Sequence, residues 1–177
     1  MDTDVIHGDI KPQNVLVFKD TTGKTTVKVA DFGYSTLAVG EMGKVFLPKS
    51  RPWNAPEHHH GEFTVSEAKK TDVYSFGMLC LWVLYGNRLS DILPVTTEAV
   101  TESDLFATPF SSPTLLEQLK VEDQVVHIAY QLTQTTSDLS DGQNACLNQF
   151  FSSTVCHSPE NRASDIGTLV GLFSQEQ

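Results

Sequence analysis

Positive charge is scarce in this chain: 12 Lys and Arg stand against 22 Asp and Glu, a formal net charge of −10. That balance argues against general nucleic-acid binding. The shortage is concentrated, because from Asn87 to Gly142 the only bases are Arg88 and Lys120, against nine acids between Asp91 and Asp141. A solvated acidic face is the expectation there, with docking of a basic partner on the 91–141 stretch as the sharper one. Cysteine is scarce too: three residues cannot all pair internally, and Cys80 sits inside an apolar run. Reduced thiols in a reducing, cytoplasmic setting follow. The longest apolar run, Met78 to Tyr85, is too short to span a bilayer, and the Met-Asp-Thr-Asp start is too acidic for a signal or transit peptide. No membrane partner is expected.

The 177 residues, 40% of them hydrophobic, can bury one core, and nothing marks a second globular unit. The stretch around which the rest is organised is His7 to Asn14, HGDIKPQN. It brings together a carboxylate (Asp9), an ammonium (Lys11) and an amide (Asn14), while Pro12 removes a backbone donor and fixes φ, so the segment reads as a rigid loop. Val15 to Phe18 follows as a short apolar, β-branched run, the signature of a buried strand. With Thr25 to Ala30 it flanks Asp20-Thr-Thr-Gly23-Lys24, where Gly23 can supply a positive φ, and a β-hairpin is predicted. Such a hairpin holds Asn14 at one end and Asp31 at the other, two oxygen donors of the kind a hard cation prefers.

HGDIKPQN resembles the protein-kinase catalytic loop H-R-D-L-x-x-x-N, with Gly8 in place of the usual Arg. Asp31-Phe32-Gly33, Ala55-Pro56-Glu57 and Asp72-Val-Tyr-Ser-Phe-Gly77 follow in family order. The resemblance runs from residue 1 to about Leu172, leaving 173–177 as a tail. It implies a mainly α fold with a small β-hairpin, the protein-kinase-like C-lobe of a domain that is α+β when complete. It implies ATP-dependent phosphoryl transfer to protein Ser/Thr hydroxyls, with ATP and Mg²⁺ as cofactors and a protein as substrate. By motif position Asp9 would accept the substrate hydroxyl's proton and Lys11 would steady the transferred phosphoryl group. Asn14 and Asp31 would hold Mg²⁺. Leu16 would lie beneath the adenine, supported by Leu79 and Val83. Phe32 would pack behind His7, and Gly33 would let Asp31 flip in or out. Ser50 falls where Ser/Thr-directed members place a Thr bonded to the catalytic Asp and Lys. Asp72 would hydrogen-bond the catalytic-loop backbone, and Arg162, in His157-Ser-Pro-Glu-Asn-Arg162, would pair with Glu57.

No Gly-rich loop, strand Lys or helix Glu precedes the catalytic loop, so the expectation is a lobe without its N-terminal partner and with apolar surface exposed. Two other readings stand beside the kinase: a non-catalytic, pseudokinase-like interaction scaffold, and an inactive fragment of a longer kinase. Gly8 cannot pair with a phosphate on the activation segment as an Arg would, so phosphorylation at Ser35 or Thr36 is not expected to switch the protein. Residues 34–54 show no sustained period and read as a long mobile loop. His58-His59-His60 reads as a surface loop and not as a metal site. A buried, all-round apolar helix is predicted from Asp72 to Tyr85, closed by Gly86-Asn87. Helices are predicted also over 114–133 and 144–154, after an irregular acidic and polar insert at 89–112.

Overall fold

The computed structural model describes residues 5–34, 36–37, 43–89 and 113–173. The fold is mostly helical with small antiparallel sheets, as expected. Its axis is helix α1, Val65–Tyr85, which begins seven residues earlier than the apolar pattern suggested. The start is set by a capping box: the Thr64 hydroxyl accepts from Glu67 N–H while the Glu67 carboxylate accepts from Thr64 N–H. This T-x-x-E signal was present in the sequence and outranks hydrophobicity as a start marker. At the other end Gly86 keeps right-handed helical angles (φ −51°, ψ −40°), and the chain continues into a 3-10 turn at Gly86–Arg88 instead of closing in a left-handed cap.

Tyr74, Met78 and Leu81 of α1 are buried in the main core with Trp53, Leu116, Leu132, Phe151 and Val155. Each such side chain contributes roughly 1.5–3 kcal/mol by leaving water. Gly77 is required by this packing, since a Cβ there would lie 2.5 Å from Thr154 Oγ1. The expectation of burial on every face fails at the last turn, where Trp82, Val83 and Leu84 are exposed.

The segment read as one helix over 114–133 is two: α2, Pro113–Val121, and α3, Gln124–Gln134. The break is Asp123, which takes left-handed angles (φ 53°) and accepts a hydrogen bond from His157 N–H at 2.8 Å. Tertiary bonding thus overrides the continuous apolar period. Helix α4, Asp141–Ser152, begins three residues before the predicted start, at a second capping box built by Ser140 and Gln143. Helix α5, Ile166–Phe173, closes the described chain. Of the insert, Leu89 is buried in the main core; 90–112 lie outside the described residues, as do the N-terminal four, Ser35 and 174–177.

Among the described residues there are three two-stranded antiparallel sheets, where one hairpin was expected. Strand β1 (Val5–Ile6) pairs with β4 (Thr36–Leu37), β2 (Val15–Lys19) with β3 (Thr25–Val29), and β5 (Lys44–Val45) with β6 (Phe63–Thr64). Two of the new strands, β4 and β5, fall in the stretch read as a long loop. Their pairing supplies order that no local periodicity announces. Ile6, Val45, Phe63 and Ala68 form a second, smaller core. It fastens the start of the catalytic loop and the middle of the following segment to the first turns of α1.

The β2–β3 hairpin forms where predicted, with its first strand one residue longer and its second one residue shorter than expected, and Gly23 lies at φ +83°. It is not a buried strand pair: Leu16, Val17 and Phe18 are 45%, 64% and 48% exposed, with Val27 and Val29 exposed opposite them. Alternate residues on a strand face opposite ways, so both faces of the ribbon are open.

Candidate active site

Asp72 is the site's foundation. One carboxylate oxygen accepts from His7 N–H at 2.7 Å and the other from Gly8 N–H at 2.9 Å, tying the loop to buried α1 across 65 residues of sequence. Burial pushes its carboxyl up to about 6, and the two backbone donors oppose that only in part. Gly8 sits at φ +79°, and a Cβ there would come within 2.9 Å of Leu47 Cδ2. Any side chain at this position, Arg included, meets backbone strain, and the tip of Leu47 would have to shift to make room.

His7 braces the loop from within. Its Nδ1 accepts from Asp9 N–H at 3.2 Å, so Nε2 carries the proton that reaches Ala30 O at 3.0 Å. The Phe32 ring lies against it, centroids 4.9 Å apart, although Phe32 itself is more than half exposed.

On this base Asp9 is presented as a buried carboxylate ringed by donors. Lys11 Nζ lies 2.7 Å from Oδ2, Ser50 Oγ donates to Oδ1 at 2.5 Å, and Asn14 Nδ2 donates to Oδ2 at 3.2 Å and to Asp9 O at 2.8 Å. Lys11 also donates to Ser50 Oγ at 3.2 Å. Burial disfavours charge on Asp9, but the bonds from Lys11 and Ser50, the Lys11 charge and the Asn14 bond outweigh it and hold the carboxyl below its usual range. Asp9 is therefore ionised at neutral pH. Sequence reasoning placed Asp9, Lys11, Asn14 and Ser50 in one cluster, and they meet in one.

Asn14 spends its amide nitrogen on Asp9, which leaves its carbonyl oxygen as the group that could ligate a cation. Its backbone O accepts from Ala30 N–H at 2.8 Å, so the ends of the hairpin that carry Asn14 and Asp31 are bonded together. Asp31 is exposed and adopts φ 63°, while its Oδ1 accepts from Gly33 N–H at 3.3 Å. The unusual backbone of this triplet therefore belongs to Asp31 and not to Gly33, a conformation that Asp tolerates better than most residues. An amide oxygen and an accessible carboxylate suit Mg²⁺. Among the described residues no group of three or more His, Cys, Asp or Glu could hold a metal ion.

Leu16 is not sealed against α1: Leu79 is buried but Val83 is 66% exposed. Val83, expected with Leu79 to support Leu16, is itself largely exposed.

Farther from Asp9, Arg162 grips Glu57 with both arms at 2.6 and 2.9 Å. Its other bonds go to the carbonyls of Cys156, His157 and Lys70, and its guanidinium lies 4.7 Å from the Tyr74 ring centre. Sequence reasoning named the pair and missed Tyr74. It also missed Lys120, a buried cation whose Nζ donates to Asn54 O and pairs with Glu117, each at 2.8 Å. The only hint was a Glu three residues before a lone base. His58 is a correction: it is buried, its Nε2 bonds Leu47 O at 3.1 Å, and its ring packs on Phe63. The side chains of His59 and His60 are outside the described residues.

A buried acid bonded to a lysine and a hydroxyl, beside an Asn and an accessible Asp joined by a hairpin, is the arrangement on which protein kinases are built. The family profile for the protein kinase domain matches residues 2–170, and the chain belongs to that family. Among curated relatives, calmodulin-binding receptor-like cytoplasmic kinase 1 of Arabidopsis thaliana is 35% identical over 91 residues, 49% of this chain and 18% of that protein. The serine/threonine-protein kinase SBK1 of Danio rerio is 37% identical over 87 residues, 47% of this chain and 21% of the relative. A PTI1-like tyrosine-protein kinase of Arabidopsis thaliana is 30% identical over 99 residues, 55% of this chain and 26% of the relative. The chain spans at most about a quarter of the length of these relatives. No helix among the described residues is long and apolar enough to cross a membrane.

Proposed function

We propose that residues 1–172 are the C-terminal lobe of a protein serine/threonine kinase and carry the substrate-hydroxyl side of phosphoryl transfer. The carrying observation is Asp9, ionised, buried and held by Lys11, Ser50 and Asn14. A carboxylate in that state can accept a hydrogen bond from a substrate hydroxyl and orient it for in-line attack. Lys11, partly exposed and 2.7 Å from Asp9, places positive charge where a phosphoryl group would develop negative charge. Ser50 and Lys11 bonded to one carboxylate support Ser/Thr over Tyr as acceptor. Asn14 and Asp31 would hold Mg²⁺, which when bound neutralises phosphate charge, and Leu16 offers an apolar surface to the adenine of ATP. A protein substrate and a cytoplasmic, reducing setting complete the reading; burial pushes the Cys80 thiol up to about 11, in keeping with an unreactive thiol.

The test is Mg²⁺-dependent ATP affinity of the chain by calorimetry, with Asp31→Ala as control, followed by phosphate transfer to Ser, Thr and Tyr peptides. Saturable binding lost in the control, and label on Ser or Thr, is expected. Label on Tyr alone would overturn the acceptor assignment. A second reading, a non-catalytic scaffold, is favoured by the apolar side chains left open on both faces of the β2–β3 hairpin. A folded chain that binds no nucleotide would put that reading first.

A further inference from the structure

Beneath the catalytic loop lies a small cavity lined by Asp9, Asn54, His58, Thr71 and Ser75. It leaves about 10 Å³ for the centre of a water-sized sphere, room for one water molecule and no more. Two buried polar atoms on its lining residues, Asn54 Oδ1 and His58 Nδ1, find no hydrogen-bond partner among the described residues. Neither can satisfy the other. His58 Nε2 bonds the carbonyl of Leu47, which only a protonated nitrogen can do, so in the neutral ring Nδ1 is an acceptor. Burial pushes His58 down from its ordinary value, which keeps the ring neutral at neutral pH. Asn54 donates its Nδ2 to Ala55 O at 3.3 Å, which leaves Oδ1 as the acceptor.

Two acceptors beside one cavity call for a ligand with two donors and a volume near that of a single oxygen. Two neighbouring protein donors are already committed: Lys120 Nζ goes to Asn54 backbone O and to Glu117, and the Thr71 hydroxyl donates to Ala68 O at 2.7 Å. Ser75 supplies a hydroxyl on the α1 wall that can give the ligand a third bond.

We propose that one structural water is bound in this cavity, donating to Asn54 Oδ1 and His58 Nδ1, and that it bridges the Ala55-Pro56-Glu57 turn to α1 under Asp9. Water is favoured over a cation because the only carboxylate lining the cavity, that of Asp9, is already engaged by Lys11, Ser50 and Asn14. A buried His ring and an amide that would each be left unsatisfied by protein alone are both satisfied by a single bridging molecule.

The test is a crystal structure of the chain at a resolution that places ordered water. The expected result is one density peak within hydrogen-bond distance of both atoms, and loss of that peak in Asn54→Leu, whose side chain removes one acceptor and fills the space. In solution, magnetisation transfer from a long-lived water to the His58 and Ser75 protons is expected in the unsubstituted chain; this arm needs no variant to fold. An Asn54 amide turned to donate directly to His58 Nδ1, a cavity closed with no peak, or a peak with the distances of a coordinated cation would each overturn the proposal.

Discussion

Two ion pairs organise this molecule, and they are built to opposite ends. Arg162 and Glu57 form a sealed pair: the arginine side chain is 0% exposed, and its donors are taken up by the carboxylate and three backbone carbonyls, with Tyr74 against its face. Lys11 and Asp9 form an open one, with the lysine side chain 25% exposed over a buried acid. A cation with every donor satisfied can only hold structure together. One left partly in solvent can still meet a charged ligand. The contrast fits an architectural role for the first pair and, on the proposed function, a chemical one for the second.

The sharpest way to break that contrast is to remove the charge of each acid in turn. Asp9→Asn should lower phosphate transfer by on the order of 10²–10⁴-fold while leaving the fold intact, the size expected for losing a positioned acid–base group. A variant that retains activity would remove Asp9 from the chemistry.

On the other side, Arg162→Ala should cost about 3–5 kcal/mol, because a fully buried guanidinium is lost and Glu57, its side chain 17% exposed, is left without its partner. Lys11→Ala removes one donor from the buried Asp9 carboxylate, but Ser50 and Asn14 still donate to it, so the loss should be smaller, about 1–3 kcal/mol. Urea unfolding of both variants measures the difference, and equal losses would erase the distinction between the pairs.

Asp72 extends the comparison to pH. Its folded-state value of about 6 lies above the ordinary 3.8, so the native state holds this proton more firmly than the unfolded chain. Its contribution is fully present below the ordinary value and is lost as pH rises through about 6, a swing of about 3 kcal/mol. Asp9, held below its ordinary value, acts in the other direction and loses its contribution as pH falls. In Asp72→Asn the decline between pH 4 and 6 should vanish, leaving stability that only rises with pH there. Parallel stability curves for the two proteins would show that Asp72 does not titrate in that window.

A further test concerns Gly8. Gly8→Ala places a Cβ at positive φ against Leu47 and should lower stability by about 1–2 kcal/mol. Its melting temperature compared with the parent chain reads this directly. No loss would mean that the loop relaxes easily and that an Arg is tolerated there.

Much of the site was legible because its residues are short-range in sequence. Asp9, Lys11 and Asn14 fall within six positions of one another, and the hairpin that carries Asp31 announces itself by alternation and a turn Gly. The two capping boxes, Thr64 with Glu67 and Ser140 with Gln143, were equally local and went unread because apolar period was weighed first. His58, Lys120 and Tyr74 were not legible in this way. Nothing near His58 in the chain says that Leu47 O will meet its ring, or that Lys120 will reach Asn54 O across 66 residues.

By itself, then, the sequence determined the family, the polar residues of the site, the presence of the hairpin and, through the family resemblance, the pairing of Arg162 with Glu57, since each is carried by a motif or a local turn signal. Tertiary structure alone decided how buried each group is. An apolar hairpin left open on both faces and an apolar helix sealed over most of its length read alike as strings of Val, Leu and Phe; exposure is a property of what packs against a segment. The same holds for charge, because the burial that raises Asp72 and the ring of donors that lowers Asp9 come from residues far apart in the chain and neighbours only once it is folded.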